Sequence, residues 1–509
     1  MGSKNYDLWH GGVRKVEGIS KWTAVFFVIG EMVGGGVVAM PGAMQHTGWY
    51  GIIVLVLSAI VSCITGVQLG WCWTMMQDMW PEYRYDTRRP YQAMAYRVGG
   101  NILSIFSSVC IFITLAGASV AYMILACQEI EYILNECGVD FSSCYLMLIY
   151  FGFLLPFLML GTPSDFWFAA YGAMGSSTIA AVLVIVGSLL DYSSSPDSTA
   201  STPLNLTVTT TSVSSSLATT AESTTILDLS SVTHSLPSFV SFVLGYGTVT
   251  FGYGGHSAFP TMQHDMKNPS DFNAAVLIAY IVIFCIYTPV AIIGYVVYGD
   301  YLSGDNNGNI TGAMQIPGIR IAIAAMIIIH IVCSALIILN PVNQDLEEAF
   351  RVKHKFGIGR IMVRTGLLAL ILFVAESIPQ FSVLLSLIGS STITLLTYVF
   401  PCLFHLVLKA KLRKLVRKLQ EKHDNGISML SLEKYPKAAI GKSSAVIFNE
   451  SSNEFIHFKA KSTHFLEYLM NGIVILVGIS AAIAGTYSAI STIVQHFSFK
   501  PPCYLRGDL

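Results

Sequence analysis

Apolar residues run through this chain in stretches longer than a soluble core needs, and polar residues gather at the joints between them. About 20 consecutive apolar residues cross a bilayer as helix. Such stretches recur from end to end and predict eleven transmembrane helices, near 22–44, 50–76, 101–127, 145–161, 166–190, 236–258, 273–298, 318–340, 361–377, 380–408 and 465–495. The fold class expected is an all-α integral membrane protein.

The joints are not alike, and their charges orient the chain. Lys4, Arg14, Lys15 and Lys21 precede the first span, and Arg84, Arg88, Arg89 and Arg97 follow the second. Arg351, Lys353, Lys355 and Arg360 precede the ninth, and Lys409, Lys411, Arg413, Lys414, Arg417 and Lys418 follow the tenth. Threading eleven spans puts all of these on one side; of the 29 basic residues only Arg320, Lys500 and Arg506 fall on the other. Positive residues stay in the cytosol, so the N-terminus is expected there and the C-terminus outside or in a lumen. An error of one span would destroy this segregation. The chain then divides into a cytosolic N-terminus (1–21), spans one to five (22–190), a non-cytosolic loop (191–235), spans six to ten (236–408), a cytosolic linker (409–464), span eleven (465–495) and a non-cytosolic tail (496–509).

Composition agrees with a membrane protein. The chain is 53% hydrophobic and 12% charged, about half the roughly 25% charge of soluble domains. A net charge of −1 offers nothing to nucleic acid. The 191–235 loop is rich in Ser and Thr and too poor in large apolar residues to offset its ordering entropy. It carries the sequon Asn205-Leu206-Thr207, and Asn309-Ile310-Thr311 is a second one on the same predicted face, making Asn205 and Asn309 candidate glycosylation sites. Cys63, Cys72, Cys110, Cys285, Cys333 and Cys402 lie in apolar runs and read as small hydrophobes. Cys137, Cys144 and Cys503 fall on the non-cytosolic side, where one disulfide can form; the sequence leaves the pairing open, with Cys137–Cys144 one candidate.

Two spans break the pattern of their neighbours. Span one reads VFFVIGEMVGGGVVAMPGAM, with Gly30, Glu31, Val33, Gly34, Gly35, Gly36 and Pro41 inside it. Span six reads FVLGYGTVTFGYGGHSAFPTMQ, with Phe251, Gly252, Tyr253, Gly254, Gly255, His256 and Pro260. Each interior glycine costs a helix about 1 kcal/mol against alanine, and main-chain polar groups in a bilayer must find partners in the protein. Helix–helix packing explains isolated glycines but not a Gly-Gly-Gly run followed by Pro. The pattern predicts two half-helices per span joined by extended chain. The breaks fall in the first members of two five-span sets, as in an inverted repeat with a midplane site. Free N–H groups at a half-helix N-terminus hold a carboxylate, and free carbonyls hold an ammonium group or a cation. Gly30, Val33, Gly34, Gly35, Gly36, Phe251, Gly252, Tyr253, Gly254 and Gly255 are therefore the candidate substrate residues. A zwitterionic amino acid matches both poles, and small walls suit a small one.

At these residues the chain resembles the amino acid/auxin permease family. The resemblance rests on Gly34-Gly35-Gly36 through Pro41, on Phe251 through Pro260 followed by Asp265-Met266 and Asn268-Pro269, and on Ser386 through Ser391 with Pro401 through His405. It extends over about 18–495, and its sixth and tenth spans look most like vesicular inhibitory amino-acid transporters and vacuolar or proton-coupled relatives. The resemblance implies a LeuT-type 5+5 inverted repeat plus an eleventh helix, with symport or exchange against H⁺ or Na⁺.

Ionisable groups within spans are candidate coupling sites. Glu31 directly precedes the first break, where loss of solvation favours a carboxyl that carries a proton. His256 abuts the second break and can titrate or satisfy freed backbone groups. Ser334, with the Val33 carbonyl, is a candidate Na⁺ site of the kind LeuT-type symporters use. His330 reads as a core histidine. No nucleotide, metal or catalytic motif occurs, so neither cofactor nor enzyme activity is expected. The reading is a secondary transporter of small amino acids in a plasma, vesicular or lysosomal membrane. A non-transporting amino-acid sensor is the alternative, and an ion channel the next.

Overall fold

A computed structural model describes residues 6–9, 12–15, 18–84, 87, 89–159, 167–194, 232–303, 308–352, 357–378, 380–424, 438–441, 444–449, 454–459 and 465–496. Among these residues fifteen α-helices carry the membrane part: α1 (Lys21–Met32), α2 (Gly35–Thr47), α3 (Tyr50–Met79), α4 (Pro90–Glu136), α5 (Ser143–Leu158), α6 (Trp167–Ser193), α7 (Phe239–Gly252), α8 (Phe259–Asp265), α9 (Phe272–Tyr298), α10 (Ile310–Ala313), α11 (Pro317–Ala349), α12 (Ile358–Ser377), α13 (Phe381–Ile388), α14 (Phe400–Asp424) and α15 (Phe465–His496). Eight helical stretches are each long and apolar enough to cross a bilayer, α1 and α2 form a ninth bent by 51°, and α5 and α7 are shorter apolar helices. These follow the order of the eleven apolar runs.

Outward faces show which sides meet lipid. On α3 the exposed residues Ile53, Leu57, Ile60, Ile64 and Trp71 recur at helical spacing, while Leu55, Ser62, Leu69 and Trp73 are buried. Trp22 and Trp49, near the two ends of the first span, are also exposed, as suits indole rings at membrane interfaces.

Spans one and six lie antiparallel, and hydrogen bonds at both ends show it. At the end bearing the N-terminus, the Ile19 N–H donates to the Asp265 carbonyl and the Lys267 N–H to the Ile19 carbonyl, each at 3.0 Å. At the other end the Ser241 hydroxyl donates to the His46 carbonyl at 3.0 Å. The start of one broken span thus touches the end of the other. With five spans in each set and α15 outside them, this is the LeuT-type inverted arrangement.

Span ten holds a second irregularity. Between α13 and α14 the helix widens into π-turns over Gly389–Ile393 and Leu395–Val399. The widening lets backbone meet backbone: a Cβ on Gly247 would stand 2.5 Å from the Ser386 carbonyl. Glycines of span six before its break therefore serve close packing.

Buried charge ties the helices together. Arg364 on α12 pairs with Glu347 on α11 at 2.6 Å, with both side chains almost fully buried, and also donates to the Leu158 carbonyl. Two small antiparallel sheets add to the helices: β1 (Tyr6–Trp9) with β2 (Gly12–Lys15), and β3 (Ala438–Gly441), β4 (Ser444–Asn449) and β5 (Glu454–Lys459) in order. The second lies within the polar linker, for which no strand is expected from the sequence.

Two modification expectations change. Cys144 is disulfide-bonded, whereas Cys137 is an exposed free thiol, so the Cys137–Cys144 pairing is not formed. Cys137 caps the end of α4, while Ser143 at the start of α5 hydrogen-bonds Glu131, more than one turn further back. Asn309 is 6% exposed; its amide nitrogen donates to Glu129 at 2.9 Å and its oxygen accepts from the Thr311 N–H. A glycan there would break these bonds, so the 309–311 sequon is a structural turn. Asn205, most of its loop and Cys503 lie outside the described residues.

Candidate functional site

The first break is built by the chain leaving helical geometry at Val33 and Gly34. Ser20 caps the start of α1, its hydroxyl accepting from the Thr23 N–H at 3.1 Å. The helix runs regularly until the Val33 N–H bonds Ile29; the Gly34 N–H then turns back to the Met32 carbonyl at 3.1 Å. The carbonyls of Gly30, Glu31 and Val33 consequently lack the N–H donors a continuous helix would supply. α2 begins afresh at Gly35. The Tyr122 side chain lies against Gly35, and the Gly36 N–H has no acceptor among the described residues. One break therefore leaves free acceptors at the end of α1 and a free donor at the start of α2, a few residues apart.

The second break follows α7. The Tyr253 N–H still bonds Val249, Gly254 bonds Phe251, and irregular chain continues to Ala258 before α8. Phe251 thus supplies a carbonyl to its own turn. The Tyr253 carbonyl accepts from the Tyr280 hydroxyl at 3.1 Å, and its ring stacks on that of Tyr280.

The two breaks meet, and α9 joins them. Tyr287 donates to the Met32 carbonyl at 2.5 Å, with its hydroxyl 3.3 Å from the Gly252 carbonyl. A Cβ on Gly36 would stand 2.6 Å from that hydroxyl and 3.3 Å from the Gly252 Cα; one on Gly255 would stand 3.0 Å from Met32. Gly36 is small because Tyr287 and then the other span occupy the space a side chain needs, and Gly255 because Met32 does. Tyr280 and Tyr287 are two helical turns apart on the buried face of α9. One serves the second break and the other both.

Several sequence expectations acquire different roles. Gly30 packs against span five, where its Cβ would lie 2.9 Å from the Ala170 carbonyl. The walls are not small: Gly34 is covered by the His330 imidazole, Gly35 by Tyr122 and Phe381, Gly252 by Met40 and Tyr287, and Gly254 by Ile393. Glu31 is partly exposed at the end of α1 and forms no hydrogen bond or ion pair among the described residues. His256 faces away from the first break; its Nε2 lies 3.0 Å from the Ser62 carbonyl and 3.1 Å from the Thr65 hydroxyl of span two. Ser334 does not stand open beside Val33, because its hydroxyl is 2.9 Å from His330 Nε2. His330 is buried as the core histidine the sequence suggests, and it also lies against the first break.

Tyr122, Tyr280, Tyr287 and His330 are thus the site residues that sequence reasoning missed. For the two α9 tyrosines a signal existed, since hydroxylated rings seven residues apart in an apolar run share one face. For Tyr122 and His330 none did, because their importance comes from the element they oppose.

Residues 17–424 match the family described as "Transmembrane amino acid transporter protein", and the chain belongs to that family. It is 26% identical over 387 residues to amino acid transporter AVT1D of Arabidopsis thaliana, covering 75% of this chain and 62% of that one. It is 27% identical over 400 residues to lysine histidine transporter-like 1 of the same plant, covering 76% and 80% respectively. The chain therefore spans less than two thirds of the first relative's length. Among solved structures it is similar to Mhp1, a nucleobase-cation-symport-1 family transporter in a closed conformation with bromovinylhydantoin bound, at a TM-score of 0.47 and 10% identity over 98% of this chain and 97% of that one.

Proposed function

We propose that this protein is a secondary transporter of small amino acids, working by alternating access and coupled to protons, with its N-terminus in the cytosol. The observation that carries the proposal is the meeting of the two breaks at Gly36, Gly252 and Tyr287. The α2 N-terminus offers the Gly36 N–H to a carboxylate, and the carbonyls left by α1 offer acceptors to an ammonium group. Membership of the transmembrane amino acid transporter family supports the same ligand class. Rings of Tyr122, Phe381 and Tyr287 fill the room a large substrate side chain would need. Hydrogen bonds at both ends of the broken spans link them in one arrangement, and exchanging those contacts alternately is the motion such a carrier requires.

Orientation rests on the basic residues, several of which meet at one end. Arg89 pairs with Asp345 at 2.7 Å and with Glu348 at 3.0 Å, and Lys411 donates to the Arg97 carbonyl. Coupling to protons is favoured over Na⁺ because the side chain of span eight that faces the first break is an imidazole, with the Ser334 hydroxyl engaged on it.

Radiolabelled uptake by the purified protein in proteoliposomes, across a panel of amino acids with and without an imposed pH gradient, tests the proposal. Saturable uptake of a small amino acid that the gradient accelerates is expected. Binding without counterflow would make the protein a sensor, and flux that does not saturate would make it a channel.

A further inference from the structure

His330 of span eight lies against the first break at Gly34, and its hydrogen bonds determine which nitrogen is free to take a proton. Nδ1 lies 3.1 Å from the Ala173 carbonyl and 2.6 Å from the Ser177 hydroxyl. The carbonyl can only accept, and the Ser177 hydroxyl itself donates to that carbonyl at 2.7 Å. Nδ1 therefore carries the hydrogen of the neutral ring, and Nε2 keeps its lone pair. Nε2 accepts from the Ser334 hydroxyl at 2.9 Å and points at Gly34, where any Cβ would collide with it. The imidazole is wholly buried.

The groups facing His330 are few. On α4 the Tyr122 ring meets it edge-on, with centroids 6.0 Å apart. On α6 it meets Ala173 and Ser177, and on its own helix Ser334. Glu31, on α1, lies near Tyr122. Among the described residues no Asp, Glu, Lys or Arg forms an ion pair with the ring.

We propose that His330 is the group that carries the coupled proton, taking it at Nε2 beside the first break. The inference rests on the reading of the protein as a proton-coupled carrier. When Nε2 gains a proton the Ser334 hydroxyl turns from donor to acceptor, and the ring becomes a cation against the main chain at Gly34, one residue beyond the Val33 carbonyl that lacks its helical N–H donor. That positive charge favours the arrangement in which the freed carbonyls gather around it, so proton occupancy and closure of the break are linked. Opening the break towards the other face returns Nε2 to water and releases the proton. A protonated histidine thus supplies at this position what a bound monovalent cation would supply, and Gly34 is required so that the ring can reach the main chain.

The test uses the full-length protein in proteoliposomes, with a substrate first shown to be taken up. In His330→Gln, accumulation driven by a pH gradient, normalised to that variant's own substrate exchange, falls about tenfold or more. Ser334→Ala removes the hydroxyl on Nε2 and displaces the midpoint of the pH–uptake curve by about half a unit to one unit. Wild-type coupling ratio in His330→Gln overturns the proposal, as does loss of the pH response in Glu31→Gln alone. If His330→Gln does not fold, Ser334→Ala decides: a displaced midpoint supports the proposal and an unchanged one overturns it. Wild-type protein that takes up no amino acid fails the transport reading first, and uptake indifferent to pH fails the proton coupling on which this inference rests.

Discussion

Tyr287→Phe removes one oxygen atom from the point where the two broken spans touch. The phenyl ring still fills its place, so no cavity is made and the change is purely polar. The Met32 carbonyl loses a donor at 2.5 Å but keeps the Gly34 N–H at 3.1 Å. The cost is therefore nearer that of a net hydrogen bond, about 1 kcal/mol, than the roughly 1–3 kcal/mol of a buried group left without any partner. The longer contact to Gly252 adds little, giving about 1–2 kcal/mol in all, or about a five- to thirtyfold change in an equilibrium. Because Tyr287 bonds one break and touches the other, that change falls on the arrangement in which the two breaks are joined. Tyr280→Phe is the matched comparison, being equally buried but donating only to the Tyr253 carbonyl. Initial uptake rates in proteoliposomes should fall about tenfold in Tyr287→Phe and much less in Tyr280→Phe, while melting temperatures drop by a similar amount, about 2 °C or so, in both. Equal uptake by the two variants would refute the idea that joining the breaks matters beyond general stability.

Further outcomes follow from contacts elsewhere. Gly36→Ala places a methyl 2.6 Å from the Tyr287 hydroxyl, and separating the two spans enough to admit it costs about 1–3 kcal/mol; substrate-protected melting should disappear before the fold does. Arg364→Met leaves Glu347 buried with, among the described residues, only the largely buried Arg360 at 3.3 Å as a charged partner, a loss of about 3–5 kcal/mol seen as poor yield of monodisperse protein. Adding Glu347→Leu to that variant should recover much of the yield, and no recovery would show that the pair is not the cause. Cys137, exposed and free, should react with a membrane-impermeant maleimide from the face opposite the N-terminus in a Cys285→Ser background, since Cys285 is the other exposed free thiol among the described residues. Labelling from the N-terminal face would reverse the proposed topology.

What was legible in the chain and what was not divide along a physical line. Membrane insertion is a sum over neighbouring residues, so eleven apolar runs and their order could be read directly, and each reappears as helix. The breaks were readable for the same reason, because Gly34-Gly35-Gly36 and Gly254-Gly255 weaken a helix wherever they are placed. The role of each glycine was not. Gly247 and Gly30 admit a neighbouring backbone, Gly36 admits the other broken span, and Gly34 admits a histidine three hundred residues away. The same limit applies to Asn309, a sequon in three letters but a buried turn once Glu129 is beside it, and to Cys144, whose partner is not the nearest cysteine. Local preference acts through the chain and is written in it. The identity of an opposing side chain depends on packing among distant segments, and only the folded arrangement could put His330 against the first break.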